Sequence, residues 1–218
     1  MAASHAPMPR PIGRPRRFDP EDERSQILDA ALVVMRRTGY AEANLTEILA
    51  ECGLSTGSFY RHFASKDDLL LHMFHQDAER AAERLSLRVA QSASSVEGVS
   101  EWIDEVLSFA WDARKRERVA VMGSQAARRA TGYDEAQRAA RDLTVRPLVE
   151  LLERGSRDGT LTSTDPYDDA RMIYSMAFGL VAWKVAGECR LSRSQALAYI
   201  LRFCGPALGI DVAGDVGR

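Results

Sequence analysis

The chain has 218 residues, of which 45% are hydrophobic and 28% are charged, and its formal net charge at pH 7 is −2. These values are typical of a globular protein and exclude a disordered chain or a collagen-like repeat. Three widely spaced cysteines exclude a disulfide scaffold and favour a reducing, cytoplasmic setting.

Residues 1–18 form an arm rich in proline and arginine. The arm holds four arginines and no acid, so it is locally basic although the whole chain is slightly acidic. Five of the eight prolines fall in the first 20 residues, a density that favours an extended segment over a packed one. We therefore expect a flexible arm at 1–18.

The next segment carries the start and stop signals of four helices. Polar residues that can cap a first helical turn alternate with glycines that can end a helix in the left-handed conformation. Glu47, three residues after Asn44, completes a capping box. These signals predict helices over residues 20–38, 45–52, 56–63 and 66–92, with N-caps at Asp19, Asn44, Ser55 and Ser65 and stop residues at Gly39 and Gly53.

The remainder of the chain has helical periodicity and no alternating strand pattern. Pro147 is expected to kink or break one helix, and Ser192 with Gln195 forms a capping box for the last. The basic run 114–118 is interpreted as a solvated turn at a helix boundary. Further helices are predicted over residues 96–114, 117–130, 134–157, 166–188 and 192–203. The sequence therefore predicts an all-α fold of about nine helices.

Residues 44–70, NLTEILAECGLSTGSFYRHFASKDDLL, combine two short helices joined by a glycine turn, the helix-turn-helix arrangement. This segment resembles the N-terminal domain of the TetR family of transcriptional repressors. The resemblance implies a helix-turn-helix domain at 19–65 and a helical effector-binding and dimerisation domain at 66–210. The residues that carry it are Ile48, Gly53, Leu54, Ser55, Gly57, Tyr60, His62, Phe63, Ser65, Lys66, Leu69 and Leu70.

The resemblance assigns DNA-binding roles to the third helix and its neighbours. Small side chains at the start of a recognition helix let its backbone approach the groove, and free N–H groups there favour phosphate. Thr56, Gly57 and Ser58 form this surface. Thr56, Ser58 and Arg61 are expected to face base edges, and Arg61 can make a two-point contact with guanine. The expected phosphate contacts are Asn44, Tyr60, His62 and Lys66.

The basic arm has two interpretations. Arg14 and Arg16 are candidates for contacts in the DNA minor groove, because narrow A·T-rich grooves attract arginine. A solvated tail that keeps the protein soluble is an equally good interpretation of the same residues.

The C-terminal part is expected to provide an effector pocket and a dimer interface. Helix 166–188 is apolar nearly all round, which predicts burial on several sides. By the resemblance, helices 166–188 and 192–203 pair with their copies in a homodimer. Apolar side chains are candidates for the effector pocket, or simply for the core. These candidates are Trp102, Val106, Phe109, Trp111, Met122, Met172, Met176 and Trp183.

Enzymatic, metal-binding and membrane alternatives have little support in the sequence. His72 and His75 lie three residues apart, but a closed zinc site needs three or four ligands. The glycine motifs of nucleophile elbows and phosphate-binding loops are absent. The longest apolar stretch, 173–183, is far shorter than the roughly 20 residues of a membrane-spanning helix. We therefore expect no catalytic site, metal, cofactor or membrane association.

Together these features predict a transcriptional regulator of the bacterial cytoplasm that associates with the nucleoid when it binds DNA. As a homodimer it would bind a palindromic operator, and a small apolar effector would release it, which is the behaviour of a repressor. The alternative is a DNA-binding dimer without a small-molecule effector, either constitutive or responsive to a protein partner.

Overall fold

The computed structural model describes residues 19–211, and within this range the regular structure is entirely helical, with no strand. The all-α prediction is confirmed. The helices are α1 (Pro20–Glu42), α2 (Leu45–Cys52), α3 (Thr56–His62), α4 (Lys66–Gln91), α5 (Ser95–Trp111), α6 (Ala113–Met122), α7 (Tyr133–Asp158), α8 (Pro166–Val185) and α9 (Arg193–Cys204), with 3-10 turns at Ala127–Arg129 and Pro206–Leu208. No helix of the described range is long and apolar enough to cross a membrane.

The four predicted helix starts of the N-terminal part are confirmed. The cap side chains each accept a hydrogen bond from a backbone N–H in the first turn of the helix that follows. Of the predicted capping box of α2, the bond from the Glu47 N–H to the Asn44 side chain is present, and no bond from the Asn44 N–H to the Glu47 carboxylate accompanies it. The capping box of α9, between Ser192 and Gln195, is complete. The four caps are Asp19, Asn44, Ser55 and Ser65.

Two glycines shape the helix-turn-helix segment. Gly53 follows α2 in the left-handed conformation, with φ of 68°, and starts the turn into α3. Gly39 has φ of 81°, but a further helical turn follows it, so α1 is kinked there and extends to Glu42 rather than ending at residue 38. The kink redirects the end of α1 toward the start of α4.

Two helices of the C-terminal part differ from the sequence-based expectation. α7 is continuous through Pro147, so the predicted break is wrong. A proline removes one backbone hydrogen bond, and the complete burial of Leu148, Leu151 and Leu152 keeps the helix in the core despite that loss. α6 starts earlier than predicted and ends at Met122, where a turn segment takes over.

The buried apolar side chains form two clusters that share α4. The first lies in the helix-turn-helix domain around Phe59 and Phe63, and it also includes Met122 and Tyr133 from the C-terminal part. The second surrounds Trp102 and joins α4, α5, α7, α8 and α9. The first half of α4 packs in the first cluster and the second half in the second cluster. This helix therefore connects the two clusters as a single packed element.

Candidate functional site

Helix α3, the expected recognition helix, presents one exposed side and one buried side. Thr56, Gly57, Tyr60 and Arg61 are exposed, whereas Phe59 is fully buried and fixes the helix to the domain core. A Cβ atom added at Gly57 would make only an ordinary contact, 3.7 Å from Ser55 Oγ. Internal packing therefore does not require a glycine here. Its effect is to flatten the outer surface, as close approach of another molecule to the backbone needs.

The Arg61 guanidinium is held by two acceptors within the domain. Its Nη2 atom donates to Glu23 Oε2 at 2.6 Å and to Ser58 Oγ at 3.0 Å. Glu23 belongs to the first turn of α1 and is 9% exposed. Hydrogen bonds from Arg61 and then His62 hold the pKa of the Glu23 carboxyl below its usual range, so this group stays ionised. Two helices far apart in sequence thus meet through one ion pair.

Ser58 and His62 point inward rather than toward solvent. Ser58 is 6% exposed, and its hydroxyl lies 3.2 Å from that of Ser55. The His62 side chain is 11% exposed, with Nε2 3.3 Å from the Glu23 carboxylate. Both side chains are engaged inside the domain, so the expected base contact by Ser58 and phosphate contact by His62 would require them to turn outward.

Lys66 caps the end of α1 instead of extending outward. Its Nζ donates to the backbone carbonyls of Tyr40 at 2.9 Å, Ala43 at 3.0 Å and Ala41 at 3.1 Å. It also lies 4.7 Å from the centroid of the Tyr40 ring. All three ammonium hydrogens have acceptors, so the expected phosphate contact by Lys66 would require it to leave at least one of these carbonyls. A lysine at the C-terminal end of a helix is favourable for the helix dipole.

The remaining predicted DNA-binding residues divide into two groups. Asn44 is exposed and caps α2 through its side-chain oxygen, which accepts from the Glu47 N–H at 2.9 Å. Arg14 and Arg16 lie outside the described residues. Glu23 is not among the site residues predicted from the sequence. Its first-turn position is equally well explained by the helix dipole, so no local signal distinguished it.

The predicted effector-pocket residues occupy four different environments. Trp102 and Val106 are fully buried in the C-terminal core. Met122 lies in the core of the helix-turn-helix domain, so the structure separates it from the others. Met172 and Trp183 are 64% and 59% exposed on α8 and do not line an interior space of the chain. The three that pack at the edge of the C-terminal core are Phe109, Trp111 and Met176.

The two histidines of α4 each face a carboxylate of their own helix. His72 Nδ1 lies 3.2 Å from Asp68, and His75 Nδ1 lies 3.3 Å from Glu79. Between residues 19 and 211 the structure contains no group of three or more side chains arranged to hold a metal ion.

Sequence comparison identifies relatives of the helix-turn-helix segment. Residues 27–73 match the family described as bacterial regulatory proteins, tetR family. The fatty acid metabolism regulator protein of Bacillus subtilis is 29% identical over 84 residues, which cover 38% of this chain and 43% of that protein. The regulator UidR of Escherichia coli is 38% identical over 61 residues, which cover 28% of this chain and 31% of UidR. These matches therefore span less than half the length of either relative.

Structural comparison extends the likeness to nearly the whole chain. FadR of Bacillus subtilis, solved with stearoyl-CoA, superposes with a TM-score of 0.71 at 19% identity, covering 83% of this chain and 96% of FadR. The SmeT–triclosan complex gives a TM-score of 0.71 at 21% identity, covering 90% of this chain and 97% of SmeT. At identities this low, the superpositions establish a shared fold and no more. The structure is thus an all-helical helix-turn-helix protein. Its residues 27–73 match the model of the tetR family of bacterial regulatory proteins, and its overall fold is shared with solved regulators of similar architecture.

Proposed function

We propose that this protein is a transcriptional repressor that binds a palindromic operator as a homodimer and is released by a small, largely apolar effector. It acts in the bacterial cytoplasm, on the nucleoid when it is bound to DNA. The observation that carries DNA binding is the outer side of α3, where small and donor side chains are exposed above a buried aromatic anchor. This is the surface that a groove-binding helix needs.

The proposed DNA contacts follow the exposure of the side chains. Thr56 and Arg61 face base edges, and Gly57 lets the backbone come close. Tyr60 and Asn44 contact phosphates, together with the free N–H groups of the first turn of α3. Ser58, His62 and Lys66 support this surface from behind through the contacts described above. The arm residues at positions 14 and 16 reach the minor groove or remain a solvated tail.

Exposed apolar side chains on α8 and α9 support the proposed homodimer. Met172 and Trp183 of α8 and Tyr199 and Phe203 of α9 all lie open to solvent. Large exposed apolar surface of this kind marks an association site in most soluble proteins. The proposed interface therefore pairs these two helices with their copies in a second chain.

The proposed effector site lies at the edge of the C-terminal core. Phe109, Trp111 and Met176 pack against this core without full burial, so they can exchange neighbours for a ligand more easily than the core itself. Similar structures were solved with stearoyl-CoA, which carries a long apolar acyl chain on a charged CoA group, and with triclosan. The effector would favour a state in which the distance between the two recognition helices does not match one helical turn of DNA. Operator DNA would favour the state in which that distance does match.

One observation favours the alternative without a small-molecule effector. Trp102 is fully buried, and its Nε1 donates to the Thr144 carbonyl at 3.2 Å. Val106, one turn further along α5, is also fully buried. The packing of the core therefore fully explains two of the predicted pocket residues. In that case the C-terminal domain would serve dimerisation or a protein partner.

The test is a mobility shift and footprint on the DNA that flanks the gene, at low salt, where phosphate contacts are strongest. We expect wild type to protect a palindrome and Tyr60→Ala and Arg61→Ala to lose protection. Arg154→Ala, which removes an equal charge from an exposed site on α7, should bind normally. Absence of binding to this DNA and to a pool of genomic fragments would contradict the proposal. An intact complex that no apolar compound releases would favour the alternative without an effector.

A further inference from the structure

We propose that Glu23 is a specificity-determining residue of the recognition helix, because it restricts the way in which Arg61 can contact a base pair. The inference rests on the proposed operator binding. Glu23 itself makes no contact with DNA in the proposed complex. It acts through Arg61, as a positioning residue.

The location of Glu23 sets it apart from its neighbours in α1. The first turn of α1 contains three acids, Glu21, Asp22 and Glu23. The first two are exposed and are sufficient for the helix dipole. Glu23 is instead buried against α3, where its Oε2 accepts from Arg61 and lies within hydrogen-bond distance of His62. Capping of α1 therefore does not explain the burial of this carboxylate.

The chemistry of the guanidinium explains why this contact matters. A two-point contact between arginine and guanine uses Nη2 together with either Nη1 or Nε, since these pairs carry parallel hydrogens. In this structure Nη2 makes both hydrogen bonds of the Arg61 guanidinium, to Glu23 at 2.6 Å and to Ser58 at 3.0 Å. Nη1 and Nε make no hydrogen bond to any described residue. While Nη2 is held in this way, Arg61 can contact a base only through a single hydrogen bond from Nη1 or from Nε.

The consequence concerns base preference rather than overall affinity. A single hydrogen bond discriminates between bases less strongly than a two-point contact with guanine O6 and N7. Removing the negative charge of Glu23 weakens the hold on Nη2, so Arg61 can turn to a two-point contact. Glu23→Gln should therefore increase the preference for guanine at the position that Arg61 reads.

The experiment selects binding sites from double-stranded DNA with a randomised segment of about 30 base pairs, long enough for two half-sites one helical turn apart. For Glu23→Gln we expect the guanine preference at one position of each half-site to rise about fivefold or more, while other positions keep their wild-type preferences. Ser58→Ala, which removes the other Nη2 acceptor, should cause a smaller rise at the same position. Arg61→Ala should abolish the preference there.

Two controls distinguish this positioning role from a general effect of removing a negative charge and from an effect that does not act through Arg61. Glu21→Gln makes the same substitution in the same turn at a side chain that is 81% exposed, and its base preferences should match wild type. Adding Glu23→Gln to Arg61→Ala should change no preference. Thermal melting shows whether each variant is folded.

The possible results are distinct. Unchanged preferences in folded Glu23→Gln, a uniform loss of affinity for every sequence, or a change that persists without Arg61 would each overturn the inference. If wild type enriches no sequence at all, the proposed function fails instead, so the two failures are distinguishable.

Discussion

The carboxylate of Asp67, in the first turn of α4, accepts a hydrogen bond from the backbone N–H of Thr131 at 2.9 Å. The same carboxylate accepts a hydrogen bond from the Tyr40 hydroxyl, near the end of α1. One side chain therefore ties the helix-turn-helix domain to the segment between α6 and α7. A movement of that segment relative to α1 must break or carry along this connection.

Replacing Asp67 tests the strength of this connection. In Asp67→Asn the neutral amide accepts weaker hydrogen bonds than the carboxylate, and one of its two oxygens becomes a nitrogen donor. We expect the free energy of unfolding to fall by about 1 kcal/mol, measured by urea denaturation. Asp29→Asn, at an exposed site on α1, should leave it unchanged. Equal stability of the two variants would contradict the assignment.

The same contact predicts a specific dependence of stability on pH. Hydrogen bonds from the Tyr40 hydroxyl, and then from the Thr131 N–H, hold the pKa of Asp67 below its usual range. A carboxyl group with a depressed folded-state pKa stabilises the protein above the unfolded pKa, about 3.9, and this contribution is lost as the pH falls through the folded value. The stability difference between wild type and Asp67→Asn should therefore be constant near neutral pH and shrink below about pH 4. A difference that persists unchanged at lower pH would argue against an ionised Asp67.

A buried carboxylate in the C-terminal domain should contribute strongly to stability. Glu105 is 4% exposed and accepts hydrogen bonds from Lys115 at 2.9 Å and Arg84 at 3.0 Å. Arg88 Nε also lies 3.4 Å from its Oε2. Glu105→Gln takes this counter-ion from all three cations, and because each also reaches solvent we expect a loss of about 2 kcal/mol. Glu101→Gln breaks a more exposed pair with Arg88, and it should cost less than about 0.5 kcal/mol. Denaturation midpoints that move equally for both variants would refute the distinction.

Lys66 and Tyr60 should affect DNA binding for different reasons. Lys66→Ala removes three hydrogen bonds to the carbonyls at the end of α1 and should lower the unfolding free energy by about 2 kcal/mol. Tyr60→Ala alters an exposed side chain and should leave stability nearly unchanged while weakening DNA binding. Melting curves recorded beside mobility shifts separate the two effects. A Lys66→Ala protein as stable as wild type that still loses DNA binding would restore Lys66 as a phosphate contact.

The exposed apolar residues of α8 and α9 predict the oligomeric state. A carboxylate at the centre of an apolar interface is left without a partner and strongly opposes association. Trp183→Glu and Phe203→Glu should therefore shift the protein from dimer to monomer in sedimentation velocity. Leu87→Glu, on an exposed site of α4 outside this surface, should remain dimeric. Dimers in all three variants would place the interface elsewhere.

The sequence by itself determined the helical class, the helix starts and the motif. A helix cap acts on backbone groups within three or four residues. Ser55 and the other N-cap residues can therefore be recognised from the local sequence alone. The spacing of Gly53, Tyr60 and Phe63 likewise identified the helix-turn-helix segment, which is short and local in its contacts. The outer face of α3 followed in part from the same spacing, since Tyr60, an expected phosphate contact, is exposed.

Only the tertiary structure decided which polar side chains meet. The run at 114–118 was interpreted as a solvated turn, but it lies in α6, where Lys115 bonds to Glu105 and Arg118 to Asp77. The pair of Glu23 and Arg61 joins residues 38 positions apart. A charged side chain is compatible with solvent, a helix dipole or an ion pair, and sequence order does not choose among these. The choice depends on the angles at which helices pack, because those angles fix which long side chains come within hydrogen-bond distance.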